Sequence, residues 1–195
     1  MNEVFKYKCS DTSLYQNTFF LNNLERLLDL PQVHERTQGT EYDSAFGKVL
    51  TTVGNDYSDL TTLPGAHKLI DWVTSKLCET YSCSDIEYKK TWCNKMFKKS
   101  EGLVHAHYHP AVTQIPPDFV AIFYVQVPDD GAKLIFVEDG EFNTHYYEYD
   151  DSKLNFHKVE SGDLVIHSPF VSHAVSVHQS ETPRICLVFE GKYLL

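Results

Sequence analysis

The pattern of apolar and polar positions divides the chain into a short helical part and a longer part made of strands. Apolar residues recur at helical spacing from Thr18 to Leu30 and again after Pro64-Gly65, which predicts two helices. A first strand is predicted at Val4 to Cys9, and the polar stretch Gln38 to Thr62 is predicted to be a loop. We expect the helices to pack on the back of a sheet, because such an apolar stripe usually faces a core.

From Ile86 onward, short apolar segments alternate with turn residues, and this spacing is typical of an all-β sandwich or jelly roll. The lysines at positions 89, 90, 95, 98 and 99 indicate the solvated face of a strand, and Tyr146, Tyr147 and Tyr149 indicate an exposed tyrosine-rich strand. The predicted strands are Ile86–Phe97, Leu103–His109, Phe119–Val127, Lys133–Glu138, Thr144–Tyr149, Leu154–Val159, Asp163–His167, His173–His178 and Arg184–Glu190.

Length and charge narrow the functional classes. The chain has 195 residues and 42% hydrophobic content, which suits one domain, residues 1–195, with its core at about residues 86–195. The net charge of −10 and the pI of about 5.4 predict no general attraction to nucleic acid or to an anionic membrane. Basic or neutral substrates, whether peptide, protein or small molecule, are favoured as partners.

The cysteines and the apolar runs bear on the compartment. The five cysteines are odd in number and form no Cys-x-x-Cys pair, which argues against a disulfide framework and a zinc ribbon. The sequence has no apolar N-terminal run and no long apolar stretch, so we expect neither secretion nor membrane insertion. We therefore expect a cytoplasmic protein in a reducing environment.

The segment His107-Tyr108-His109-Pro110 carries the strongest chemical signal. Side chains alternate along a strand, so His107 and His109 point the same way with Cβ atoms roughly 7 Å apart, close enough to share one metal ion. A third ligand must come from a neighbouring strand, and His173 follows a turn and a short apolar run. Three ligands on one side of an iron leave its other positions open, as in non-haem Fe(II) oxygenases.

Arg184 begins an otherwise apolar strand, so its charge is expected inside the fold. Its planar fork of donors matches a carboxylate, and no acidic residue stands near it in strand register. We therefore expect a ligand carboxylate as its partner.

The chain resembles the Fe(II)/2-oxoglutarate-dependent dioxygenases, specifically the small prolyl-hydroxylase-like group. That resemblance implies a mainly β fold, a double-stranded β-helix (jelly roll) with N-terminal helices packed on the sheet. It also implies iron at His107 and His173, 2-oxoglutarate held by Arg184 through its distal carboxylate, and co-substrate contacts from Tyr124 and Leu134. The matching segments are Trp92-Cys93-Asn94, Gly102, His107–Pro110, Phe119–Val127, Gly131–Leu134 and Gly162–Phe189.

The first motif departs from this family's usual His-x-Asp or His-x-Glu, because His109 stands at the carboxylate position. The motif is still assigned to His107 and His109, so the predicted metal ligands are these two and His173. His105 could instead pair with His107, and Asp118 could supply a carboxylate. His167 is interpreted as a structural residue beside the site.

The function expected from the resemblance is hydroxylation of an aliphatic C–H bond in a peptide or protein side chain or a small molecule. Fe(II) and 2-oxoglutarate are the expected cofactors, succinate and CO2 the by-products, and ascorbate the reductant. Two other classes stay open: a cupin-type three-histidine metal enzyme that does not use 2-oxoglutarate, and a catalytically silent jelly-roll binding module.

Overall fold

Two antiparallel sheets form the body of the protein, as described by a computed structural model that covers residues 3–31, 33–37, 48–53, 59–108, 115–141 and 143–195. The seven-stranded sheet runs in the order β1 (Val4–Lys8), β9 (Asp163–His167), β6 (Phe119–Gln126), β11 (Arg184–Leu194), β4 (Asp85–Met96), β3 (Lys48–Thr51) and β2 (His34–Thr37). The four-stranded sheet runs in the order β5 (Gly102–His105), β10 (His173–Val175), β7 (Leu134–Val137) and β8 (Leu154–His157).

Two helices, α1 (Thr18–Leu28) and α2 (His67–Tyr81), cover one face of the large sheet. The Asn17 side chain caps α1 by accepting a hydrogen bond from the Phe20 backbone N at 2.8 Å, and α2 ends at Ser82 in the left-handed conformation. The predicted packing of the helices on the sheet is confirmed. Short 3-10 helices lie at Thr12–Leu14, Leu60–Thr62, Tyr146–Glu148 and Asp151–Lys153.

Strand alternation separates two cores on the two faces of the large sheet. On β6, Phe119 and Phe123 pack against the helices, whereas Ile122 and Tyr124 face the small sheet. The same two-residue repeat continues on the neighbouring strand β11, where every position from Arg184 to Glu190 is buried. An apolar run buried on both sides is what a central strand of a covered sheet requires.

The predicted strand Thr144–Tyr149 is wrong, because the chain there forms the 3-10 helix Tyr146–Glu148. Hydroxyl groups close this segment on itself: the Tyr149 hydroxyl accepts from the Glu141 backbone N at 2.6 Å and lies 2.7 Å from the Thr144 hydroxyl. A local side-chain closure of this kind competes with strand pairing.

The predicted loop Gln38–Thr62 also needs correction, because Lys48–Thr51 is the strand β3 and pairs with β4, with Val49 opposite Met96. Residues 38–47 and 54–58 of this prediction lie outside the described residues. The four-residue length of β3 gives too few positions for a visible alternation, so pairing with β4 decides its conformation.

The lysine-rich stretch is not a uniformly solvated face. The Lys95 ammonium contacts the Glu25 carboxylate of α1 at 2.6 Å, whereas Lys89, Lys90, Lys98 and Lys99 are exposed. The five cysteines are free thiols. Within the described ranges, no helix is long and apolar enough to cross a membrane.

Replacing Gly191 by Ala should destabilise the protein by about 2 kcal/mol, because Gly191 lies beside the bulge at Lys89 of β4 and leaves no room for a side chain. A Cβ atom there would lie 3.0 Å from the Phe119 ring and closer still to the Glu87 carbonyl oxygen. Urea unfolding measures the change. Leu194→Ala, at a half-exposed position of the same strand, should cost less than about 1 kcal/mol, and equal losses in the two variants would contradict this packing.

Candidate metal centre

Three histidines converge where the small sheet meets the following loop. His105, His107 and His173 each place one ring nitrogen within 4.8 Å of the others, and the Nε2 atoms of His107 and His173 are 3.3 Å apart. His105 and His173 are register partners on β5 and β10, which explains their closeness. Imidazole nitrogens that share one ion at about 2.1 Å each lie about 3–3.5 Å apart, so this spacing fits a shared metal ion.

Backbone carbonyl groups orient two of these rings. The Nδ1 atom of His173 lies 3.1 Å from the Val171 oxygen, and the Nδ1 atom of His105 lies 2.8 Å from the Leu103 oxygen. Since carbonyl oxygens only accept, both Nδ1 atoms must donate, which makes Nε2 the acceptor nitrogen of each ring.

His107 is oriented by a carboxylate that the sequence analysis did not identify. Its Nδ1 atom lies 2.5 Å from Glu190 Oε1, and its ring stacks on Trp92 with centroids 5.6 Å apart. Burial lowers the pKa of His107 to about 4, helped by nearby Lys90, and burial raises the pKa of Glu190 to about 7. When Glu190 is ionised it accepts the Nδ1 proton, so His107 Nε2 is free to bind metal and the carboxylate adds negative charge behind the ring.

His167 is a fourth imidazole beside this cluster. Its ring centroid is 4.7 Å from that of His173, and its Nδ1 atom lies 2.9 Å from the Ser168 oxygen. The Nε2 atom is buried without a hydrogen-bond partner, and burial lowers the pKa of His167 to about 3. His167 does not belong to the three-histidine group that could hold a metal ion. Its neutral ring packs against the ring of His173.

Arg184 is buried with 2% of its surface exposed, and it has no ion pair within the part of the chain that the structure describes. Its Nη1 atom lies 3.2 Å from Met96 Sδ, and its guanidinium carbon lies 4.8 Å above the centre of the Tyr124 ring. The Arg184 Nε atom and the Tyr124 hydroxyl are both buried without a hydrogen-bond partner. Such a set of unused donors fits a ligand carboxylate.

One cavity of about 710 Å³ joins the histidines to this arginine. Its wall includes the three clustered histidines, Arg184, Glu190 and Leu134. Tyr124 lies beneath the guanidinium on the inner face of β6. An anionic molecule bound at Arg184 can therefore extend toward a metal ion without leaving the protein interior.

The remaining sequence candidates lie elsewhere. His109 is outside the described residues, so its assignment as a ligand stays a prediction. The Asp118 carboxylate lies 2.7 Å from Lys192 Nζ, accepts from the Tyr193 backbone N at 3.3 Å and does not line the cavity, so it does not supply the missing carboxylate. The signal for Glu190 was its even spacing from Arg184 on one strand, which puts both side chains on the same face.

Residues 90–190, just over half of the chain, match the sequence model of a protein family described as "Putative 2OG-Fe(II) oxygenase". The chain belongs to this family of 2OG-Fe(II) oxygenases. Fe(II) and 2-oxoglutarate are the cofactors that define the family. No curated protein matches the chain in sequence.

Solved structures share the jelly-roll fold expected of the family. HygX from Streptomyces hygroscopicus, solved with nickel, 2-oxoglutarate and hygromycin B, has a TM-score of 0.62 and 15% identity over 97% of this chain and 82% of that chain. A Pseudomonas putida prolyl-4-hydroxylase has a TM-score of 0.59 and 13% identity, with coverage of 97% and 92%. The carbocyclase SnoK from nogalamycin biosynthesis has a TM-score of 0.66 and 14% identity, with coverage of 99% and 82%.

The residues present fit the cofactors of the family. Imidazole nitrogens are good ligands for iron, and the unpartnered donors of Arg184 and Tyr124 suit a carboxylate of 2-oxoglutarate. Both groups open on the same cavity, as a co-substrate that contacts the metal requires.

The metal-free protein should lose stability as the pH falls below 6.5, because the pKa of His167 is about 3 in the folded protein and 6.5 in the unfolded chain. Between these two values the unfolded chain binds a proton that the folded protein does not. His167→Gln removes this proton uptake and should flatten the loss by about 2–3 kcal/mol between pH 6.5 and about pH 4.5. Glu190, whose pKa is raised, acts in the opposite direction and equally in both proteins. Urea unfolding across this range is the measurement. Exposed His67→Gln is the control and should leave the pH dependence of the unfolding free energy unchanged. An unchanged pH dependence in His167→Gln would contradict the assignment of His167 as a buried neutral ring.

Proposed function

We propose that this 2OG-Fe(II) oxygenase hydroxylates an aliphatic C–H bond of a peptide or protein side chain or of a small molecule, with release of succinate and CO2. The observation that carries the proposal is the single cavity that joins the histidine cluster to an arginine without an acidic partner among the described residues. The cofactors supply the oxidising chemistry, while the protein positions the reactants and excludes water.

In this proposal, His105, His107 and His173 hold the iron. His105 takes the place that the sequence analysis gave to His109, because its ring lies within reach of the other two. Three neutral ligands leave the full 2+ charge on the ion, and the Glu190 carboxylate behind His107 offsets part of that charge. The iron is therefore held by three imidazole nitrogens, and the Glu190 carboxylate is hydrogen-bonded to one of these ligands, His107.

The co-substrate end of the site uses Arg184, Tyr124 and Leu134. The guanidinium binds the distal carboxylate of 2-oxoglutarate through two parallel N–H groups, and the Tyr124 hydroxyl donates a further hydrogen bond. Leu134, which is fully buried, supplies an apolar wall that keeps water from the carbon chain. Ascorbate is proposed as the reductant that keeps the iron in the ferrous state.

A three-histidine metal enzyme that does not use 2-oxoglutarate is the second candidate, since every ring in the cluster is an imidazole. The buried Arg184 argues against it, because a buried guanidinium without a counter-ion costs several kcal/mol unless a ligand supplies one. A catalytically silent binding module would have no use for three clustered imidazoles. Incubation with Fe(II), ascorbate and 2-oxoglutarate, followed by measurement of succinate, separates the three functions.

The type of reaction rests on similarity to known proteins. The prolyl-4-hydroxylase supports hydroxylation of a peptide-like substrate, and HygX, solved with hygromycin B, supports a small molecule. SnoK is named a carbocyclase, so the fold also serves ring closure. Hydroxylation is proposed because it needs no second positioned carbon on the substrate.

Substitution of the clustered histidines should separate the two possible ligand sets. His105→Ala, His107→Ala and His173→Ala should each lose Fe(II), whereas His109→Ala should retain it, because the first three share one site. Iron content after anaerobic loading and desalting is the readout, with exposed His67→Ala as the control. Iron loss in His109→Ala together with retention in His105→Ala would restore the ligand set predicted from sequence.

Arg184→Lys keeps the positive charge but loses the bidentate fork. The affinity for 2-oxoglutarate should therefore fall by roughly 1.5–3 kcal/mol, about 10- to 150-fold, while iron content stays unchanged. An anaerobic titration of the iron-loaded proteins measures this. Equal affinity in the two proteins would show that 2-oxoglutarate does not bind at Arg184.

A further inference from the structure

Besides Glu190, the cavity wall contains a second acidic residue, Glu101, directly before the strand β5 that ends at His105. Glu101, Leu103 and His105 all line the cavity. Glu101 and His105 are four residue steps apart, which spans at most about 13 Å of extended chain. A carboxylate therefore lies on the cavity wall at a distance from the iron that a small organic molecule can span.

This carboxylate is buried and only half used. Glu101 is 1% exposed, and its Oε1 atom lies 2.8 Å from His145 Nδ1. The Oε2 atom is buried and has no hydrogen-bond partner. An unpaired carboxylate oxygen away from water costs free energy, so this position favours a donor that a ligand can supply.

The other charges of the cavity already have a role or are exposed. Apart from the histidines, its described wall carries four charged residues, which are Lys90, Glu101, Arg184 and Glu190. Arg184 serves the co-substrate in the proposed function, and Glu190 contacts His107. Lys90 is exposed, so it keeps its hydration. Glu101 is the buried charge that remains for the substrate.

We propose that Glu101 is a substrate-recognition residue and that the substrate carries a protonated amine, which donates to Glu101 Oε2. The proposal rests on the proposed function and adds to it the chemical class of the substrate. An ammonium group suits this position because it supplies both the missing donor and the missing positive charge, whereas a hydroxyl group supplies only the donor. Binding the amine at Glu101 places the carbon chain of the substrate along Leu103 toward the histidine cluster.

A purely structural role for Glu101 would need only the contact with His145, which holds the segment after Gly140 against β5. That contact uses Oε1 alone. Because Gln keeps an oxygen acceptor for His145 but has no charge, Glu101→Gln separates the two roles.

The test measures binding of n-hexylammonium and of its neutral analogue 1-hexanol to the full chain loaded with Mn(II) and 2-oxoglutarate. Isothermal titration gives both affinities, and Mn(II)-induced relaxation of the probe protons shows whether the probe lies in the metal cavity. The wild-type protein should bind hexylammonium at least about tenfold more tightly than hexanol, and Glu101→Gln should abolish this preference. Glu101→Asp, which keeps the charge, should restore part of it. Glu148→Gln, at an exposed position, is the matched control and should behave as wild type.

Equal affinity for the two probes, or a preference that survives in Glu101→Gln, would overturn the proposal. The same titration is made on metal-free protein, so a failure of metal or 2-oxoglutarate binding would count against the proposed function and leave the test of Glu101 intact. Thermal unfolding of each variant confirms that the fold is kept, and loss of the preference in a folded Glu101→Gln protein supports the proposal.

Discussion

The site depends on the two-residue repeat of one central strand. On β11, Leu187 and Phe189 close the core under the helices, while Arg184 and Glu190 point between the sheets. The same strand therefore carries the buried guanidinium that we propose as the anchor of 2-oxoglutarate and the carboxylate that orients His107. Neither group could face the cavity unless the opposite face of the strand were apolar enough to be sealed by α1 and α2.

Burying this much polar chemistry is costly, and the helix-covered face stabilises the fold against that cost. The contact of Arg184 with the Tyr124 ring contributes about 1–2 kcal/mol, which is less than the several kcal/mol needed to desolvate an unpaired guanidinium. The balance comes from large apolar side chains such as Phe119, Phe123 and Leu77, each fully buried and each contributing about 1.5–3 kcal/mol. The apolar core thus allows the fold to keep Arg184 Nε and the Tyr124 hydroxyl buried without hydrogen-bond partners.

Long periodic elements were predictable from the sequence, whereas short elements were not. The helix stripes and the apolar strands β6 and β11 have patterns that their own residues specify. The strand β3 is formed by pairing with β4, and the tyrosine segment after Thr144 is closed by hydroxyl contacts that no apolar pattern records.

The residues of the site were also predictable only in part. His107, His173 and Arg184 stood out because of their spacing and their apolar surroundings, and the structure places all three on one cavity. The choice between His105 and His109 could not be made from alternation, because residues 105, 107 and 109 share the same parity. Glu190 and Glu101 were missed for a related reason, since a glutamate at the end of an apolar strand or next to a glycine resembles an ordinary surface residue until its burial is known.

The extra residue Lys89 forms a bulge on β4 opposite Glu190 and Gly191, and it has a consequence for how such a chain can change over evolutionary time. Point substitutions on β11 alter one side chain each, but a single inserted or deleted residue between Arg184 and Glu190 would exchange the inner and outer faces and turn Arg184 or Glu190 toward the helices. Because the extra residue is accommodated on β4, the two-residue repeat of β11 runs without interruption from Arg184 to Glu190 and keeps both side chains on the cavity side. The bulge on β4 shows that a neighbouring strand can absorb an extra residue, whereas the interval from Arg184 to Glu190 must be inherited intact.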